Sequence, residues 1–252
     1  MSGHSKWSTI KHKKAKIDAQ RGVAFAKYSR EIIVAAKLGG GDLNGNFRLR
    51  TAVDKAKAAG VPNDNIKRAI DKAVKGNDSD NFEELTYEGY GAGGVAVFIE
   101  ALTDNRNRTA GDIRSYFTKF NGNLGENGCV SWMFKQFGVL TFNKTDYTYD
   151  QLFELSMEIE ALDVLDEEDE SEYKILCLPE NFQKTVEFFE SKNLKPNSSE
   201  LTRIAENTIE ISDPKIATSI LRLMEKIEEN DDVQNVYSNF EFSDDVISEL
   251  NL

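Results

Sequence analysis

The sequence predicts an α+β protein of three domains: an N-terminal three-helix domain followed by two α/β sandwiches, the last inserted into the middle one. Three observations carry this prediction. Up to Gly76, apolar residues recur at the three-to-four spacing of a helix. Beyond Asn81, helical stretches alternate with short runs rich in β-branched residues. Between them the polar turn Asn77–Asn81 (NDSDN) coincides with a reversal in the sign of the charge.

That reversal is the main functional clue. The chain has 252 residues and a formal charge of −12, yet residues 1–76 hold 17 Lys+Arg against 6 Asp+Glu. The remaining residues hold 14 against 37. A potential is judged on the domain that carries it, so the basic end predicts a phosphate-bearing partner despite the overall acidity. Cys129 and Cys177 lie far apart in apolar, strand-like runs, which predicts buried free thiols and a reducing compartment. The N-terminus lacks an apolar signal core, and the longest apolar runs, IIVAA and VAVFI, are too short to span a bilayer. A cytoplasmic protein is expected.

Residues 5–20 interleave lysines with Trp7, Ile10 and His12, too few apolar groups to fix the segment in a core. It reads either as a mobile arm or as a helical extension ordered by a partner. From about Asp18, the spacing of Phe25, Tyr28, Ile32 and Ala36 predicts a first helix, ended by Gly39–Gly41. A second is expected from Asn46 to Ala59, with Leu49, Val53 and Ala56 inward, stopped by Gly60 and Pro62. A third follows the cap residue Asn63 and buries Ile66, Ile70 and Val74.

Past the boundary, Val95–Leu102 reads as a buried strand and Thr109–Phe120 as a helix begun by a Thr109/Asp112 capping box. Cys129–Phe134 and Gly138–Phe142 read as strands. A helix (150–162), a strand (173–178), a helix (180–192) and a strand (208–211) come next. Ser212, Asp213 and Pro214 open a helix carrying Ile216, Ile220, Met224 and Ile227, with proline in the tolerated first turn. Val233–Phe242 closes as a strand. This alternation predicts two ferredoxin-like sandwiches. The first lacks strands unless the chain's end returns to it, so the expected domains are residues 1–77, residues 78–136 with 212–252, and an acidic insert of residues 137–211.

Catalytic chemistry finds little to stand on. Gly89, Gly91 and Gly94 satisfy G-x-G-x-x-G, but a strand follows them where a dinucleotide site needs a helix N-terminus. Gly39–Gly41 lacks the Gly-Lys-Ser/Thr of a P-loop. The only histidines, His4 and His12, sit in the arm, and the cysteines have no paired spacing, so no zinc set assembles. No histidine is left in the folded body to activate a nucleophile. The run Asp166–Glu172 lacks the alternating ligands and central glycine of a calcium loop. A non-enzymatic protein without metal or cofactor is expected.

The basic residues are the better candidates. Lys6, Trp7, Lys11, His12, Lys13, Lys14 and Lys16 of the arm, with Arg21, Lys27, Arg30, Arg48 and Arg50 of the helices, would neutralise phosphates with little sequence selection. Trp7 either stacks on a base or packs back on the domain. A second contact loop is Asp104, Asn105, Arg106, Asn107 and Arg108 (DNRNR), where arginines at a helix N-terminus oppose the dipole. The glycine-rich loop Asn121–Gly128 reads as a plain turn or as a source of amides for a phosphate.

These runs also resemble a known family. GHSKW (Gly3–Trp7), IKHKKAK (Ile10–Lys16), AAKLGGGD ending at Asp42, YEGYGAGG (Tyr87–Gly94), LTDNRNRT (Leu102–Thr109) and DDVQNVYSNF (Asp231–Phe240) together resemble the YebC family. Its eukaryotic relatives include the mitochondrial translational activator of cytochrome c oxidase subunit I. The resemblance starts at Gly3, which implies no transit peptide. It implies a helical domain with two α/β domains, and either DNA-binding transcriptional regulation or ribosome association that assists translation through proline runs. Phe47 departs from the pattern, which often has proline there. No helix carries an evident base-reading set of Asn, Gln and Arg, so DNA and ribosomal RNA both stay open as partners, with ribosomal proteins a further candidate. A protein-interaction scaffold is the rival reading; no membrane or small-molecule substrate is expected.

Overall fold

The computed structural model describes residues 19–75, 82–167 and 170–250, with side chains from Phe25 onward. Three helices come first: α1 (Ala19–Gly39), α2 (Phe47–Ala58) and α3 (Asn63–Lys75). Ile32, Ile33, Ala35 and Ala36 of α1 pack on Leu49, Ala52, Val53 and Ala56 of α2 and on Ile66, Ala69 and Ala73 of α3. The many alanines let the helix axes approach closely. Phe25 and Tyr28 lie on the expected face and are partly buried. The expected burial of Val74 does not hold: it is 57% exposed, and Ala69 and Ala73 take the inward positions instead.

The turn between α1 and α2 is built around Asn46. Its Oδ1 accepts from the Leu49 amide at 3.0 Å, capping α2, while its Nδ2 donates to the carbonyls of Ala35 (2.7 Å) and Gly40 (2.8 Å). Gly40 has φ 83°, the left-handed conformation that ends a helix without a Cβ penalty. A Cβ on Gly39 would lie 2.6 Å from Asn46 Nδ2.

The α/β part continues with β1 (Glu83–Tyr90), β2 (Ala96–Thr103), α4 (Arg106–Lys119), β3 (Asn123–Leu124), β4 (Phe134–Asn143), α5 (Tyr149–Glu158) and β5 (Asp163–Asp166). It ends with β6 (Glu172–Cys177), α6 (Phe182–Ser191), β7 (Ser198–Ala205), β8 (Ile209–Ile211), α7 (Pro214–Glu228), β9 (Val233–Ser238), β10 (Phe240–Phe242) and α8 (Asp244–Leu250). Residues Lys135–Ile204 form one compact unit inserted in the other, which runs to Phe134 and resumes at Ala205.

The host sheet has the order β3-β1-β2-β9, with antiparallel β1–β2 and β2–β9 pairs. The chain's end therefore completes it. On one face, Val97, Ile99 and Val236 meet Ile113 and Phe117 of α4 and Ile220, Leu223, Met224 and Ile227 of α7. On the other, Ala96, Phe98 and Tyr237 meet Val130 and Phe134. Cover on both sides explains why β2 opens on the continuous apolar run Ala96–Ile99. The inserted unit runs β4-α5-β5-β6-α6-β7 with sheet order β5-β6-β4-β7, the β-α-β-β-α-β arrangement of ferredoxin-like sandwiches.

Three local expectations are corrected. Helix α4 starts at Arg106, capped by Asn105, whose side chain accepts from the Arg108 amide; the Thr109 hydroxyl turns into the interior. The expected strand Cys129–Phe134 is a turn with a 3₁₀ segment at Ser131–Met133, because the amides of Val130 and Ser131 bond to a carboxylate and not to a neighbouring strand. The single closing strand is two. Asn239 breaks it, its Oδ1 accepting from the Ala96 amide at 2.8 Å, and β10 then pairs with β8 in parallel.

Candidate nucleic-acid interface

Of the sequence-derived candidates, Lys6, Trp7, Lys11, His12, Lys13, Lys14 and Lys16 lie outside the described residues, and Arg21 lies on α1 in its first turns. The other four helical candidates are described, and all four make contacts within the chain. Lys27 donates to the Glu228 carbonyl at the end of α7. Arg30 donates to the Asp231 carbonyl and pairs with Asp232 Oδ1 at 2.9 Å. Arg48 pairs with Glu31 (2.9 Å) and Glu84 (2.7 Å). Arg50 lies 5.3 Å from the centre of the Phe47 ring, a cation–π contact at the start of α2.

The second loop converges on the same carboxylate as Arg30. Arg108 Nη2 reaches Asp104 Oδ1 at 2.7 Å and Asp232 Oδ2 at 2.8 Å. The Thr109 hydroxyl donates to Asp232 Oδ2 at 2.7 Å, and the Thr103 hydroxyl lies 3.3 Å from that oxygen. Burial pushes the Asp232 carboxyl up, but hydrogen bonds from Arg108 and Thr109 and the charges of Arg30 and Arg108 outweigh it and hold the group below the usual carboxylate range. Its hydrogen bonds to Asp232 and Asp104 raise Arg108 in turn. DNRNR thus builds a polar junction at the surface: Asn105 caps, Asp104 and Arg108 pair, and all five residues stay exposed while Arg108 reaches the buried Asp232.

The glycine-rich loop has a similar explanation. Glu88 of β1 is 3% exposed and accepts from the amides of Gly128, Val130 and Ser131, each at 2.8 Å. Burial raises this carboxyl, and the three amides with the Ser131 hydroxyl lower it further than burial raises it. Within Asn121–Gly128, the Gly128 amide is spent on this carboxylate, and those of Gly122 and Gly125 on the carbonyls of Phe117 and Glu88.

Burial raises both thiols, Cys177 in β6 and half-buried Cys129 in the turn, where the Glu88 charge adds to the effect. Neither is a poised thiolate. Among the described residues no group of His, Cys, Asp and Glu could hold a metal ion, and no helix is long and apolar enough to cross a membrane.

Sequence reasoning missed four residues. Lys67 and Arg68 on α3 are exposed and have no hydrogen bond or ion pair among the described residues. Their signal was available in the outward positions of NDNIKRAIDKAVK, where they precede the inward Ala69. Asp232 and Glu88 fall within the motifs, but their partners lie far off in sequence and only the fold brings them together.

With this geometry in place, comparison with known proteins defines the class. Residues 5–76 match the TACO1/YebC protein N-terminal domain, and residues 82–240 match the TACO1/YebC second and third domain. The chain belongs to the YebC family. A probable transcriptional regulatory protein from Citrifermentans bemidjiense is 52% identical over 250 residues, covering 99% of this chain and 100% of that one. One from Geobacter sulfurreducens is likewise 52% identical over 250 residues, with the same coverage. The crystal structure of a conserved hypothetical protein from Aquifex aeolicus is 43% identical with a TM-score of 0.81, covering 93% of this chain and 96% of that chain.

Proposed function

We propose that the chain is a non-enzymatic, cytoplasmic regulator of gene expression that binds nucleic acid through its basic N-terminal segment, as a DNA-binding transcriptional regulator does. The observation that carries this is the charge reversal: 17 Lys+Arg against 6 Asp+Glu up to residue 76, then 14 against 37. Lysines and arginines at that density release counterions when they meet phosphates. Lys27, Arg30, Arg48 and Arg50 have partners within the chain, so the phosphate contacts fall to the arm lysines and to Lys67 and Arg68 of α3. The regulatory names of the relatives agree with this role.

A second reading, a translation factor that binds ribosomal RNA and assists elongation through proline-rich stretches, is favoured by the acidic remainder of the chain. That excess repels a naked duplex and suits basic ribosomal proteins beside the RNA. Titration of DNA duplex and of structured RNA over a salt series tests both. Binding should weaken steeply with salt and fail when Lys11, Lys13, Lys14 and Lys16 become Glu. Binding unchanged by that substitution would overturn both readings and favour a protein-interaction scaffold. Co-sedimentation with ribosomal subunits at moderate salt selects the second reading, and a reproducible promoter footprint selects the first.

A further inference from the structure

The inserted unit carries an uncovered apolar stripe beside a row of acids. Thr148 caps α5, its hydroxyl accepting from the Gln151 amide, and Leu152 and Ser156 face the interior. Successive residues of a helix turn by about 100°. Tyr149, Phe153 and Met157 therefore form a stripe next to the buried face, and Asp150, Glu154 and Glu158 form a row beyond it. Phe153 is 44% and Met157 68% exposed, and the rings of Tyr149 and Phe153 stack at 5.7 Å. Leu162, just before edge strand β5, is 49% exposed.

Two of the three acids in this row are not neutralised at home. Glu158 pairs with Lys192, but Asp150 and Glu154 have no ion pair or hydrogen bond among the described residues. Lys144 is held by Asp166, and Lys174 by Glu167 and Glu170. Residues 135–204 hold 7 Lys+Arg against 16 Asp+Glu.

We infer that the outer face of α5 docks a lysine- and arginine-rich amphipathic helix of a partner protein, with apolar side chains over Phe153 and Met157 and cations over Asp150 and Glu154. The i, i+4, i+8 ridge suits a packed helix, and an apolar strip bordered by unpaired carboxylates asks for the opposite charge at its rim. Nucleic acid is repelled by the same row. A second copy would bring Asp150 and Glu154 against their own equivalents, and like charges set face to face disfavour that dimer. This surface is independent of the basic segment and does not rest on the nucleic-acid reading.

The test uses the full chain and a labelled synthetic helix with leucine on one face and lysine on the other. Binding should weaken about ten-fold or more in Met157→Ser and in Asp150→Lys/Glu154→Lys, while Glu187→Lys/Glu190→Lys on α6 changes it by less than about two-fold. Met157 is exposed enough for its variant to fold, and Phe153→Ser, checked by thermal melting, is the second apolar probe. Equal weakening by the α5 and α6 charge reversals, or equal binding of a leucine–glutamate peptide, would overturn the inference. So would self-association that Met157→Ser abolishes, which would identify a second copy. Tighter peptide binding after Lys11, Lys13, Lys14 and Lys16 become Glu would identify the chain's own arm as occupant and overturn it too.

Discussion

Arg30 of α1 and Asp232, the residue before β9, form an ion pair of 2.9 Å in which the Asp232 side chain is 4% exposed. Arg108 holds the other oxygen of the same carboxylate. One buried acid therefore ties the N-terminal helices and the start of α4 to the start of β9.

Asp232→Asn should destabilise the protein by about 3 kcal/mol, because removing one member of a buried pair leaves its partners uncompensated. Denaturant unfolding measures this. Arg30→Ala and Arg108→Ala should each cost less than Asp232→Asn, since either leaves Asp232 one arginine. Their double variant should cost more than the sum of the two, because it strands the buried charge. Simple additivity would show that the two arginines do not share one site.

Glu88 should make stability depend on acid. A carboxyl held below its unfolded value of about 4.3 stabilises the fold above that pH, and the contribution drains away as pH falls through the folded value. Since Glu88 is lowered, wild type should lose more stability between about pH 5 and pH 3 than Glu88→Gln, which starts less stable at pH 7. Parallel pH curves for the two proteins would contradict the assignment.

Lys67→Glu/Arg68→Glu should leave the fold within about 0.5 kcal/mol of wild type, as both side chains are exposed. Nucleic-acid affinity should fall, and the slope of log K against log salt should shrink by about one to two. Filter binding at several salt concentrations reads both quantities.

Gly39→Ala should cost about 2 kcal/mol by thermal or urea unfolding. The new Cβ would meet Asn46 Nδ2 at 2.6 Å, and Asn46 is itself buried and fixed by three hydrogen bonds. Displacing it removes the cap of α2 and leaves buried carbonyls without a donor.

Periodicity made the helices legible, and it did so best where one face is buried and the other wet. The α7 pattern Ile220, Met224, Ile227 and the Asp213-Pro214 start both reappear, with Asp213 accepting from the Lys215 amide. Periodicity failed where a side chain competes with the backbone for partners. Glu88 takes the amides that would have extended a strand at Val130 and Ser131, and Asn239 interrupts what reads as continuous β sequence. The candidate site was legible as charge and not as geometry. Composition shows that cations crowd one end, but which of them have partners depends on acids such as Asp232 and Glu84, which the chain delivers only after folding.

The pairing of β2 with β9 bears on how the protein is made. On the ribosome, β1 and β2 emerge early and can close as a hairpin, but the strand that flanks β2 on its other side begins at Val233, after the whole inserted unit. Until then the nascent chain presents an open, strongly apolar strand edge, and Arg30 and Arg108 wait without their carboxylate. Chains that stop short of β9 carry that unfinished edge, a ready template for aggregation.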